Sequence, residues 1–113
     1  MKIKTIAGAL GLFAALSFPP LACAAPDANA TQALAKKEGC LKCHAIDKKK
    51  EGKPLKEISA KYKGQADAQA KVRHHITAGE KVKFADGTEE DHKVIKTKDP
   101  AELSNLIAWI LSL

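Results

Sequence analysis

Five consecutive residues, Cys40-Leu41-Lys42-Cys43-His44, restrict this chain more than any other stretch. Two thiols at i and i+3 fall on one side of a single helical turn, and an imidazole follows at once. A run of this kind attaches a porphyrin: the two sulfurs add to neighbouring vinyl groups, and the histidine takes an axial position on the iron. Two other chemistries use the same cysteine spacing. A structural zinc site needs four ligands, usually from a second pair at finger spacing, and His74, His75 and His92 do not supply that pattern. A thioredoxin-like redox pair follows a strand in a βαβ unit, which the helical patterning of this chain does not offer.

The chain has 113 residues, enough for one small domain. Residues 1–24 have the three parts of a secretory signal: Lys2 and Lys4, an apolar run from Ile6 to Phe18, and the small exit Ala22-Cys23-Ala24, with cleavage expected after Ala24. The apolar run is short for a bilayer span, so the mature chain 25–113 is expected in the periplasm, without a membrane span. Cys23 also raises a lipoprotein site, against which Pro20 stands where an aliphatic residue is preferred. Cleavage removes Lys2, Lys4 and Cys23, so the net charge falls from +6 to +4 and only Cys40 and Cys43 remain. A domain below about 100 residues usually needs a disulfide, metal or cofactor to hold it. Aromatics make up only 4% of this one, and a covalent haem would supply the missing apolar surface.

Helical periodicity runs through the mature chain. An alanine- and lysine-rich stretch from about Ala30 to Gly39, with Asn29 as expected N-cap after a frayed start, delivers the chain into Cys40. Lys48 to Pro54 read as a solvated loop. Leu55 to Tyr62 form a short helix stopped by Gly64, and Asp67 to Ala78 a third with Val72 and Ile76 inward and Gly79 as its stop. Lys81 to Lys98 show no period and read as a long loop without strands. The last helix carries the strongest signals: Asp99 as N-cap, Pro100 first, Glu102 completing a capping box, and a stripe of Leu103, Leu106, Ile107 and Ile110 with Trp109 at its edge.

Gly39 to Asp47, Ile58 to Gln65 and the terminal Ala108-Trp109-Ile110-Leu111-Ser112-Leu113 together resemble the small bacterial class I cytochromes c of the c-551/c-552 type. The resemblance covers nearly all of the mature chain. It implies an all-α fold of three to five helices wrapped around one covalent haem c, with the first and last helices crossing beside Cys40. It also implies Cys40 and Cys43 as the thioether residues, His44 as proximal axial ligand, and a backbone carbonyl near Gly52-Lys53-Pro54 bonded to the far nitrogen of His44, which fixes its tautomer. In that family a methionine in the loop before the last helix is the usual distal ligand. Here the only methionine is Met1, which leaves with the signal, while His92 lies in the corresponding loop. The expectation is therefore His44/His92 ligation, with Lys81, Lys83, Lys93 or an open position as alternatives. His74 and His75 read as exposed helix histidines, with contact of one of them to a haem propionate as the alternative.

Two imidazole ligands leave no substrate position and favour one-electron transfer over enzymatic chemistry. They also imply a lower potential than a histidine–methionine pair. Lys42, Lys48, Lys49, Lys50, Lys53 and Lys56 flank the attachment site, where they either form an ordinary solvated face or steer the protein, as a monomer, to periplasmic or membrane-associated redox partners with acidic docking faces. The lysines carry no interleaved aromatics, which argues against nucleic acid. The rival reading is a haem-based gas sensor or small haem enzyme in which His92 lets go.

Overall fold

Residues 27–113 are described by the computed structural model. The expected secretory segment, residues 1–24, lies outside them.

Asp27 starts the first helix, α1 (Ala28–Lys37), by accepting hydrogen bonds on its carboxylate from the Asn29 and Ala30 amides at 2.9 and 3.2 Å. The expected start at Asn29 is thus two residues late. A carboxylate at this position satisfies free amides and faces the positive end of the helix dipole, which outweighs the weak start signal of an alanine run. Gly39, at φ +82°, turns the chain from α1 directly into the short helix α2 (Cys40–Cys43). The ammonium end of Lys93 reaches over this turn, with the side-chain nitrogen 2.5 Å from where a Cβ on Gly39 would stand.

The loop after His44 is tied back by Leu55 and Lys56, whose amides donate to Ala45 and Ile46 at 2.9 and 3.0 Å. Helices α3 (Leu55–Tyr62) and α4 (Ala68–Ala78) follow, the latter with Gly79 as its left-handed C-cap at φ +66°. Val72 and Ile76 face inward, 4% and 7% exposed.

Lys81 to Lys98 is not all loop. It opens with a hairpin of strands β1 (Lys81–Lys83) and β2 (Glu89–Asp91), paired antiparallel with Lys81 opposite Asp91 and Lys83 opposite Glu89. Three-residue strands are too short to show alternation in sequence. Opposite charges across the pair hold them instead, Lys81 and Asp91 at 2.7 Å. Asp86 closes the turn by accepting from the Thr88 amide and hydroxyl, bonds that hold its carboxyl below the usual range.

The last helix, α5 (Pro100–Ser112), begins at Asp99, whose carboxylate accepts from Ala101 and Glu102 at 2.8 and 3.4 Å. The expected capping box is relayed rather than direct. The Asp99 amide donates to the Thr97 hydroxyl, and that hydroxyl donates to Glu102. Helix α5 packs on α1, α3 and α4, and the core forms around it from Ala35, Leu55, Val72, Ile76, Ile95, Leu106, Ile107, Trp109 and Ile110. Trp109 belongs to that core at 5% exposed, not to the edge of the stripe. The fold is mostly helical, five helices and one small two-stranded sheet among the described residues.

Candidate functional site

Helix α2 places Cys40 and Cys43 one turn apart, and neither thiol is in a disulfide. His44 leaves the helix in extended conformation while its amide still donates to the Cys40 carbonyl at 3.0 Å. Burial, above all, pushes the Cys40 thiol up from its ordinary value. Burial and then the hydrogen bond to Glu51 do the same to Cys43. A dithiol oxidoreductase needs the opposite, a thiol whose pKa is lowered so that it attacks as thiolate. Nor does a zinc site assemble: among the described residues no group of three or more His, Cys, Asp or Glu side chains is arranged to hold a metal ion.

The ring of His44 is fixed from behind. Its Nδ1 lies 2.7 Å from the Lys53 carbonyl, which can only accept, so Nδ1 carries the proton and Nε2 is left as a donor to a metal. Gly52 makes that approach possible. A Cβ there would stand 2.6 Å from His44 Cε1, 2.8 Å from Nδ1 and 3.1 Å from the Cys43 carbonyl. Gly52→Ala should therefore displace the imidazole and weaken its bond to Lys53. Overpacking of this kind costs about 1–3 kcal/mol, and a domain of this size loses about 4–8 °C in Tm per kcal/mol. Thermal unfolding followed by circular dichroism checks this, and an unchanged Tm would show that the ring is not held there.

His92 faces His44 from the segment after β2, with ring centroids 6.2 Å apart and planes inclined by 43°. Two imidazoles bonded in line to one metal at about 2.0 Å have centroids roughly 6 Å apart, so this gap fits an iron between the rings. The His92 amide donates to the Glu80 carbonyl at 2.8 Å, and further along the segment Ile95 donates to Ile76 at 3.0 Å. The Lys96 amide donates to the carboxylate of Glu38, a residue only 5% exposed, at 2.7 Å. Burial first, then the nearby charges of His75 and His44, lower the pKa of His92. The neutral ring that this favours is the form that binds a metal. Its Nδ1 is buried without a hydrogen-bond partner, so the polar ring is not explained by packing within the chain.

The lysine alternatives are otherwise engaged where their contacts are clear: Lys81 pairs with Asp91, and the Lys93 side chain lies against Gly39. The six lysines around Cys40–His44, Lys42, Lys48, Lys49, Lys50, Lys53 and Lys56, are all exposed. Lys50 caps the Leu41 carbonyl at 2.8 Å, and Lys53 pairs with Glu57 at 3.3 Å.

Sequence reasoning missed the surroundings of His92. His74 is exposed as expected, but the His75 ring lies 4.3 Å from that of His92, and both helix histidines share the carboxylate of Glu80. The available signal was a histidine pair in the last turn of a helix, followed by a glycine stop and an acid. Glu38, the clasp on the segment after His92, carried no signal beyond an acid among lysines.

Known proteins resemble this arrangement. A family model described as cytochrome c matches residues 28–113. Cytochrome c-551 of Allochromatium vinosum is 32% identical over 89 residues, 79% of this chain and 92% of that protein. Cytochrome c-551 of Pseudomonas aeruginosa is 44% identical over a shorter match of 48 residues, 42% of this chain and 46% of that protein, so here the chain spans about half of its relative. Among solved structures, the class 1 cytochrome MtoD of Sideroxydans lithotrophicus superposes with a TM-score of 0.75 at 50% identity, over 78% of this chain and 97% of that one.

Proposed function

The chain belongs to the cytochrome c family, as a small class I member, and on that premise we propose that it is a periplasmic one-electron shuttle whose single haem c is held between His44 and His92. Members of the family are electron carriers rather than enzymes and bind one covalently attached haem c. Cys40 and Cys43 are assigned as the thioether residues, His44 as the proximal ligand and His92 as the distal one. Residues 1–24 are assigned as the export signal, removed to leave 25–113 as the functional domain. No helix among the described residues is long and apolar enough to cross a membrane.

One distance supports this reading most directly: the 6.2 Å between the His44 and His92 rings, with the two thiols one turn apart in the short helix that ends at His44. The haem supplies a reversible one-electron couple. The chain's own residues do the rest. The Lys53 carbonyl raises the basicity of His44, and a second imidazole in place of a thioether sulfur favours the ferric form, so the potential lies below that of histidine–methionine relatives. With an imidazole at each axial position, a small ligand would enter only after one of them leaves. The lysines from Lys42 to Lys56 outnumber the acids Asp47, Glu51 and Glu57 and give the attachment side a positive field that draws in acidic redox partners.

Absorption spectra and electron exchange test this together. The ferric protein should be low-spin, and the ferrous protein should bind carbon monoxide slowly at neutral pH. Fast binding would make it a sensor or enzyme with a labile ligand instead. Reduction of anionic ferricyanide should slow as salt is raised from about 0.01 M to 1 M, where the Debye length shrinks from about 30 Å to 3 Å, and exchange with cationic hexaammineruthenium should speed up. The same salt response with both reagents would remove the steering role of the lysines.

A further inference from the structure

The His74, His75 and Glu80 cluster lies outside the haem-binding set, yet it is built against it. Gly79, in left-handed conformation, reverses the chain at the end of α4, so that the next residue turns back onto the helix it has just left. The Glu80 carboxylate there meets His74 Nε2 at 3.0 Å through one oxygen and His75 Nδ1 at 3.2 Å through the other. Its main-chain carbonyl accepts the His92 amide at 2.8 Å. The His75 ring, so oriented, lies against the His92 ring at 4.3 Å with a 47° tilt. The approach is close throughout: a Cβ on Gly79 would stand 3.3 Å from a methyl of Val94 and 3.7 Å from the His92 carbonyl.

This arrangement constrains His92 in two ways. Glu80 sets the backbone from which the ring projects, and His75 sets the ring's rotation about that backbone. His44 has a hydrogen bond to fix its plane, whereas His92 Nδ1 has none, so ring contact is what remains to orient the distal imidazole.

We propose that His75, held by Glu80, is a positioning residue that fixes the ring plane of His92 and slows its departure. This rests on the reading of His92 as the distal ligand. It assigns an electron-carrier role to a histidine outside the four residues assigned to hold the haem: keeping the pair of axial planes at one angle in both oxidation states, so that little rearrangement accompanies each electron.

The test uses the full holoprotein with His75→Ala, His75→Phe, Glu80→Ala and, separately, His92→Ala. Low-temperature electron paramagnetic resonance of the ferric state reports the angle between axial ring planes through the spread of g values. Carbon monoxide binding to the ferrous state, at saturating gas, reports the rate at which the distal ligand leaves. His75→Ala should shift the g values and raise the leaving rate on the order of tenfold, the scale of one aromatic contact. Glu80→Ala should do the same in part, and His75→Phe, which keeps a ring against His92, should restore the wild-type rate. If His75→Ala lowers only the Tm and leaves both g values and leaving rate unchanged, His75 is structural and the proposal falls. If His92→Ala itself keeps the wild-type g values, the ligation reading fails, and that result is distinct from the first.

Discussion

Replacing both thiols assigned to haem attachment, Cys40→Ala with Cys43→Ala, should yield a chain from which acidified organic solvent extracts all of the haem, and which loses most of its helical signal once extracted. The wild-type chain should keep its haem through the same treatment, because a thioether bond survives denaturation and an axial nitrogen bond does not. The loss of helix follows from the size of the core. Among the described residues only Leu106 and Ile107 are completely buried large side chains, Trp109 is the one buried aromatic, and two of the ten buried apolar residues are alanines. Each large apolar side chain contributes about 1.5–3 kcal/mol on burial, while ordering each residue's backbone costs about 1–2 kcal/mol. Helices of 8 to 13 residues such as α3, α4 and α5 are marginal by themselves in water. Leu41, Ile46, Ile58 and Tyr62 pack against the core but stay only partly buried, leaving apolar surface that a porphyrin would help to cover. Haem binding is then part of the folding free energy, as for a structural metal. A double variant whose haem stays with the denatured chain would show that attachment does not run through these thiols.

The parts of this molecule that could be read from sequence are those in which a local rule and the tertiary structure agree. Asp99 and Pro100 start α5 because the cap and the ring closure act within four residues, and Gly79 ends α4 because the left-handed turn needs it. The parts that could not be read depend on residues meeting across the chain. Asp27 caps α1 by a side-chain bond that an alanine-rich stretch does not advertise, and β1 and β2 are held by cross-strand charges over only three residues. Thr97 enters the α5 cap as a relay from outside the four-residue motif. The candidate site divides in the same way. Cys40, Cys43 and His44 are adjacent in sequence and legible there; the resemblance to a family with a methionine in the same loop pointed to His92. His75 and Glu80 become its neighbours only because Gly79 folds the chain back on α4, and Glu38 meets the amide of Lys96 across 58 positions.

His92→Ala should convert the ferric protein from a low-spin to a high-spin spectrum and make the ferrous protein bind carbon monoxide as fast as the gas arrives. Alanine at this position donates nothing, and two of the alternative lysine ligands are held elsewhere, Lys81 by Asp91 and Lys93 against Gly39. A lysine-ligated low-spin form would come from Lys83 or require one of these contacts to break, and it would announce itself by reverting to high spin on acidification. His92→Met separates ligand identity from ligand presence. A thioether sulfur is a weaker donor to ferric iron than imidazole, so the midpoint potential should rise, on the order of 0.1 V within the roughly 0.8 V that axial ligands span. That is close to two tenfold steps in the ferrous-to-ferric ratio at about 59 mV each. The direction does not depend on how buried the iron is, because burial is the same in both proteins. Thermal stability should move little, since the ties on either side of the ring, the amide of His92 on Glu80 and that of Ile95 on Ile76, involve only main-chain atoms and survive both substitutions. An alanine variant that stays low-spin with its potential unchanged would mean that another side chain holds the sixth position, and the 6.2 Å facing of the two rings would then be packing alone.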